Sequence, residues 1–415
     1  MKRNLLWLAC FAASGNALAE VDLVLRTGLE HRTNINRSAD DPIDDDVFSY
    51  GGSFAVDNTE RNYTAQLDYT GSRERYLDNT FPARTNMSGS GRVDLYTANR
   101  AFTWYASNRV TDNSRDLLDA EVPDNLTRVS TNQTGVIGSM RLSPRDNFDI
   151  SGGKIWVKSE NELSDSETDM AYAAWSHRTS SRNNVGLQLT YFMTTPKIET
   201  IDEFGTQKAT AHWRREIKSG NFEMQLGLAK SDALKPDGDE VGEVPEYLLR
   251  VSTGSARSRF ALGGGRELVG TGMGQPGNGN VTSGGGNEFR LMIREFGNIN
   301  YSYDIVRRRF ALSLSGEYAN EDSQFSDDDT LIKQVGGGLS WQFRFGGRLG
   351  FTAESIFREQ GRDLLARNSR ENRFTLQYSQ AILNNLSMRC AYELSKFEND
   401  IETTIVGCGL EYKAI

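Results

Sequence analysis

The sequence predicts an all-β fold, a transmembrane antiparallel up-and-down β-barrel of about 20 strands (18–22), and three observations carry that prediction. Runs of alternating apolar and polar residues recur along the whole chain. They are joined in turn by long, acidic links and by short, tight ones. After the N-terminal segment, no stretch approaches the roughly 20 apolar residues that a membrane helix needs. A barrel requires the alternation because one face of each strand meets lipid and the other a wet lumen, and it gathers its large loops on one side. The mean hydropathy of -0.55 suits such a chain. A secreted sandwich or propeller would bury both apolar faces and leave the one-sided loop lengths without a cause.

The chain begins with Lys2 and Arg3, an apolar run from Leu5 to Ala13, and the small-x-small pattern of Ala17, Leu18 and Ala19. That is a signal peptide over 1–19, followed by one outer-membrane barrel domain over 20–415. Cys10 lies within the apolar run behind Trp7, Leu8 and Ala9, a poor lipobox. Without the signal the chain carries 45 basic against 56 acidic residues, which argues against nucleic acid as a partner. Arginine supplies 36 of the 47 basic residues of the full chain and lysine 11. Guanidinium stays charged and grips carboxylate and phosphate bidentately, so it suits a lumen that handles anions or pairs with its own acids. Proline is scarce, at 8, and glycine abundant, at 40, as expected of many paired strands.

In the first strand Leu23, Leu25, Thr27 and Leu29 share one face, which should meet lipid. An acidic link with Asp40, Asp41, Asp44, Asp45 and Asp46 leads to a strand through Phe48, Tyr50, Phe54 and Val56. The short link Asp57 to Thr59 turns it into Tyr63 to Tyr69, and a long link precedes Val93 to Thr97. Asn99 and Arg100 form a tight turn into Phe102, Trp104 and Ala106. A long link, Thr111 to Val129, precedes Val136 to Leu142, and Ser143 to Asp146 turn the chain into Phe148 to Trp156. Hairpins follow at Ser180 to Asn183, at Lys218 to Gly220 and near Ala256. A long strand, Phe289 to Ile305, is expected to bulge at Gly297 and to turn at Arg307 into Phe310 to Tyr318. The last five strands run through Val335 to Phe343, Leu349 to Phe357, Phe374 to Tyr378, Met388 to Leu394 and Thr404 to Tyr412. With both ends periplasmic, every long link falls outside, and the one short outer link is the last, near Asn399.

The parity opposite the large apolar residues assigns Arg26, Arg92, Arg141, Arg250, Arg290, Arg294, Arg309, Arg373 and Arg389 to the lumen. Asp68, Glu223, Glu317, Glu354 and Glu393 are interleaved with them. Such a wall can select solutes by charge; equally, its arginines can pair with the neighbouring acids and stiffen it. Trp104, Trp156, Trp213, Trp341, Tyr191, Tyr318 and Tyr412 take the lipid parity and suit aromatic girdles. Cys390 and Cys408 lie equidistant from Asn399 and share the lipid parity of Met388 and Leu410. A symmetric hairpin makes them cross-strand neighbours, and they are either a disulfide or two small apolar residues facing lipid.

Other motifs carry less. Gly272 to Gly277 matches a dinucleotide fingerprint, but no helix follows it. The acidic runs Asp40 to Asp46 and Asp327 to Asp329 lack the spacing and glycine of a calcium loop and read as solvated charge, so no metal or cofactor is expected. Enzymatic barrels need a histidine clustered with serine or acid, whereas His31, His177 and His212 fall at separate places on separate strands. An outer-membrane hydrolase is therefore the least favoured reading.

The stretch Asn99, Arg100, Ala101, Phe102, Thr103, Trp104 to Asp112, followed by Val122, Pro123, Asp124, Asn125, Leu126, Thr127 and Arg128, resembles the β-barrel outer-membrane proteins associated with exopolysaccharide and PEP-CTERM loci. The likeness in strand and loop layout covers nearly the whole mature chain. It departs at the C-terminus, Tyr412, Lys413, Ala414, Ile415, where such barrels usually end on an aromatic residue. The resemblance implies a component of polysaccharide export or surface assembly in a Gram-negative outer membrane. Expected partners are outer-membrane lipid and lipopolysaccharide, the outer-membrane assembly machinery, polysaccharide and periplasmic export components. Two roles fit: a porin-like conduit, or a non-conducting barrel that docks a secretion assembly.

Overall fold

The computed structural model describes residues 20–414 other than 115–117, 119–121, 163, 237, 272, 274–288, 308, 326–328, 362–366 and 399–400. The expected signal peptide and most of the Gly272 to Gly277 motif lie outside the described residues. The strands are β1 (Glu20–Arg32), β2 (Asp45–Thr59), β3 (Tyr63–Tyr76), β4 (Arg84–Tyr96), β5 (Phe102–Ser114), β6 (Leu126–Arg141) and β7 (Asp146–Ser159). Next come β8 (Ser166–Arg178), β9 (Asn183–Pro196), β10 (Phe204–Ile217), β11 (Gly220–Leu234), β12 (Glu240–Gly254), β13 (Ser258–Gly270) and β14 (Leu291–Val306). The last are β15 (Phe310–Ser323), β16 (Thr330–Gln342), β17 (Arg348–Gln360), β18 (Arg367–Leu383), β19 (Leu386–Phe397) and β20 (Glu402–Lys413).

Each strand pairs antiparallel with its sequence neighbours in one 20-stranded sheet. The sheet closes where β1 meets β20, from Val24 opposite Lys413 to Arg32 opposite Ile405. Closure leaves no unpaired edge, the condition for crossing hydrocarbon with strands. The outward parity is fixed by exposure. Leu25, Leu29, Leu187, Leu189, Leu226, Val335 and Leu410 all stay exposed, up to 67% for Val335, which is unfavourable in water and favourable in lipid. Trp104, Trp341, Tyr191, Tyr318 and Tyr412 share that exposed face.

The short links lie on the side of the chain ends and the longer ones on the other. The strands also reach further than the alternation indicates. β5 continues to Ser114 and β6 starts at Leu126, so the link expected from Thr111 to Val129 is strand at both ends and shorter than expected. Several outer links besides the last are short, among them 160–165 and 235–239. Above the bilayer a strand has water outside and packing or water inside, so hydrogen bonding continues while the apolar alternation that reports it disappears. The expected bulge at Gly297 is absent: Gly297 pairs regularly with Gly264 and Tyr318. The register shift lies instead between Asp304 and Val306, beside the turn that must close the hairpin. At the Asn99–Arg100 turn, Arg100 takes the left-handed region with φ 55°.

Candidate functional site: the barrel lumen

The register places Arg26, Arg92, Arg250, Arg294, Arg373, Arg389, Asp68, Glu223, Glu317, Glu354 and Glu393 on the parity opposite the lipid face. Arg141, the last residue of β6, has the same parity but its guanidinium donates to the turn carbonyls of Ser143 and Pro144. Two assignments are corrected. Arg290 precedes β14 and its backbone binds Thr271 in an outer link. Arg309 sits in the turn before β15, where its amide donates to Val306 and its carbonyl accepts from Gln342. Both followed the parity of a strand that does not reach them.

Most of the inward arginines have an acid within reach. Glu411 accepts from Arg26 at 3.1 Å and lies 3.3 Å from Arg389. Arg92 meets Asp94 at 2.6 Å and Arg294 meets Glu321 at 3.4 Å. Arg373 lies 2.8 Å from Glu371 and 3.6 Å from Glu393, while Arg358 meets Glu371 at 3.0 Å. Glu371 is fully buried and also accepts from Ser395 at 2.9 Å. Sequence reasoning missed it, although its parity matches that of Arg373. The half-exposed pairs contribute under about 1 kcal/mol each. Arg109, Arg214 and Arg250 remain exposed on the same face. Two recesses open on this wall: one of about 550 Å³ with Asp22, Asp57, Asp68, Arg92 and Arg109, and one of about 770 Å³ with Glu30, Ser313, Arg348, Gln377 and Arg389.

The outer half of the lumen, from β6 to β14, holds a packed apolar cluster. Val129, Ile155, Val157, Met170, Phe192, Phe204, Ala229 and Val244 point inward and are buried. Outer links drop onto them. Ile198 and Ile201 come from the link after β9, Met273 and Phe289 from the link after β13, and Phe325 from the link after β15. Phe204, Phe289 and Phe325 form a triad with ring centroids 5.8–5.9 Å apart. The top of the β13–β14 hairpin takes part. Pairing between β12 and β13 stops at Tyr247 and Arg266, and Leu268, although of outward parity, is fully buried in this cluster. Lys208 of β10 donates to the Leu268 carbonyl, and the Leu268 amide donates to Glu246 of β12 at 2.9 Å. Lys208 and Glu246 are themselves paired at 2.7 Å. A hairpin released from its neighbour and tied to inward-facing side chains narrows the outer mouth.

A second anchor is Tyr105. Its ring is fully buried against inward-facing Gly135 and Gly153, whose added Cβ atoms would lie 2.6 and 2.8 Å from its hydroxyl. Arg92 lies over the ring, 5.5 Å from its centroid. The three histidines stay apart: His31 pairs with Asp46 at the outer end of β1, His177 with Asp146 at the periplasmic end of β8, and His212 faces inward on β10. In the last hairpin Cys390 of β19 stands opposite Cys408 of β20 on the lipid face, with Sγ–Sγ 2.11 Å in a disulfide.

A closed 20-stranded barrel with an apolar belt is an integral protein of a bacterial outer membrane. No family model matches the chain, and no curated protein matches it. Solved structures resemble it at fold level. The outer membrane protein opdK from Pseudomonas aeruginosa is 13% identical over 95% of this chain and 98% of its own, with TM-score 0.39. OccK2 (OpdF) from the same organism, in complex with glucuronate, is 11% identical over 96% and 99%, with TM-score 0.44. The FrpB iron transporter from Neisseria meningitidis is 9% identical over 97% and 82%, with TM-score 0.48.

Proposed function

We propose that this protein is a non-enzymatic outer-membrane pore of restricted aperture for polar solutes. The observation that carries the reading is the contrast along the lumen. The inward wall below the cluster is charged and exposed, at Arg26, Asp68, Arg109, Arg214 and Arg250, whereas the outer mouth is narrowed by apolar packing of its own links. A charged, hydrated wall lets polar solutes cross a low-dielectric membrane, and its exposed guanidiniums favour anions. The paired arginines hold the wall rather than the solute. The resemblance of Asn99 to Arg128 to barrels of exopolysaccharide loci makes an anionic or neutral polysaccharide the candidate cargo.

The packed cluster also supports a second reading, a barrel closed by its own links that anchors an export assembly. Conductance of the purified protein in a planar bilayer separates the two. The pore reading expects discrete current steps, and their suppression when candidate polysaccharide is added. Absence of current under every voltage and salt condition refutes the pore and leaves the docking barrel.

A further inference from the structure

One patch on the outer rim places two arginines at successive outward positions of one strand. On β3 the outward positions climb through Tyr63, Ala65, Leu67, Tyr69 and Gly71 to Arg73 and Arg75. At about 3.3 Å per residue and a tilt near 40°, Arg73 lies about 25 Å above Tyr63. That equals the height of the apolar band, so Arg73 and Arg75 stand where acyl chains give way to headgroups. In register, Tyr50 and Thr85 flank Arg73 on the neighbouring strands, and Phe48 stands opposite Arg75. The Phe48 and Tyr50 rings lie 5.9 Å apart.

Elsewhere on this rim some outward cations have carboxylate partners, while Lys158, Lys230, Lys333 and Arg370 are exposed and, among the described residues, have none. His31 meets Asp46 at 2.8 Å, Arg128 meets Asp112 at 2.9 Å, Lys154 meets Glu167 at 2.8 Å, and Lys396 meets Glu402 at 3.0 Å. Arg73 and Arg75 are exposed and, among the described residues, have no carboxylate partner. The next outward acid on β2, Asp46, is taken by His31, and Glu74 points inward to Arg32. Two unneutralised guanidiniums at a lipid surface, with hydroxyls beside them and an aromatic floor, match a phosphate monoester attached to acyl chains.

We propose that Arg73, Arg75, Tyr50 and Thr85 bind the phosphate of a phosphorylated glycolipid of the outer leaflet, with Phe48 against its acyl chains. The guanidiniums hold the phosphate bidentately and the hydroxyls donate to its remaining oxygens.

Native mass spectrometry of the full barrel in detergent, titrated with diphosphoryl lipid A or the same lipid after phosphatase treatment, tests this. The wild type is expected to bind the diphosphoryl lipid about tenfold more tightly than Arg73→Gln/Arg75→Gln. Both proteins should bind the dephosphorylated lipid equally weakly, and Lys396→Gln, which removes a paired rim cation, should bind as the wild type does. Arg73→Lys/Arg75→Lys keeps the charge but loses the fork, and should bind about threefold less tightly than wild type; it decides the question should the glutamine pair not fold. Wild-type affinity for diphosphoryl lipid A in the folded substituted barrel, or equal affinity of the wild type for the dephosphorylated lipid, overturns the proposal.

Discussion

Releasing the β13–β14 hairpin from the lumen should open the pore, and Phe289→Ser/Phe325→Ser is the perturbation that tests this. Phe204 and Phe289 are 4% and 3% exposed, and Phe325 is partly buried against both. Truncating one buried phenylalanine costs about 3–5 kcal/mol. At about 1.4 kcal/mol per decade, Phe289→Ser alone shifts an in–out equilibrium of the hairpin by two to three and a half orders of magnitude, about 10²- to 4 × 10³-fold. The Phe325 substitution adds a smaller factor. The polar tie of Lys208 and Glu246 to Leu268 stays in place, so a third change, Glu246→Gln, should add to the effect by removing a charge-assisted bond. Single-channel recording in a planar bilayer reads the outcome. The double variant should show a higher open probability or a larger conductance step than the wild type, with unchanged heat-dependent gel migration as proof of folding. A folded variant with the wild-type conductance distribution would refute the occlusion argument.

Intact-mass measurement without reductant should show the chain about 2 Da lighter than after reduction, because Cys390 and Cys408 are joined. Glu371→Ala leaves the guanidiniums of Arg358 and Arg373 without their buried partner, so the barrel should lose about 3–5 kcal/mol, read as unfolding at lower temperature on a detergent gel. Gly135→Val should impair assembly, since its Cβ would lie 2.5 Å from the Gly152 carbonyl and 2.6 Å from the Tyr105 hydroxyl; the folded fraction after refolding checks it. Arg250→Glu places a second acid opposite Glu223 on the exposed wall, and the reversal potential in a salt gradient should move toward cation preference.

The faces of the lower strands were legible in the sequence because lipid contact imposes a strict period of two. Leu23, Leu25, Thr27 and Leu29 took the outward side, as did Phe102 with Trp104 and Leu312 with Leu314, and the arginines between such residues followed by parity. Parity gives a direction only where a strand exists, which is why Arg290 and Arg309 were misplaced. The plug left a faint trace that the reading passed over. Ile155, Trp156 and Val157 are apolar on both faces, as are Met193 and Phe192, and a strand that is apolar on both sides needs packing on both.

The sequence by itself determined the barrel, its strand number to within two and, for a symmetric last hairpin, the cross-strand meeting of Cys390 with Cys408, because each follows from local alternation and from distance along the chain. Tertiary structure alone decided how open the lumen is. Phe204, Phe289 and Phe325 come from separate hairpins, and Leu268 turns inward because β13 leaves β12 at Arg266. The physical reason is that facing lipid is a property of one residue on one strand, whereas filling a lumen depends on side chains brought together across many strands.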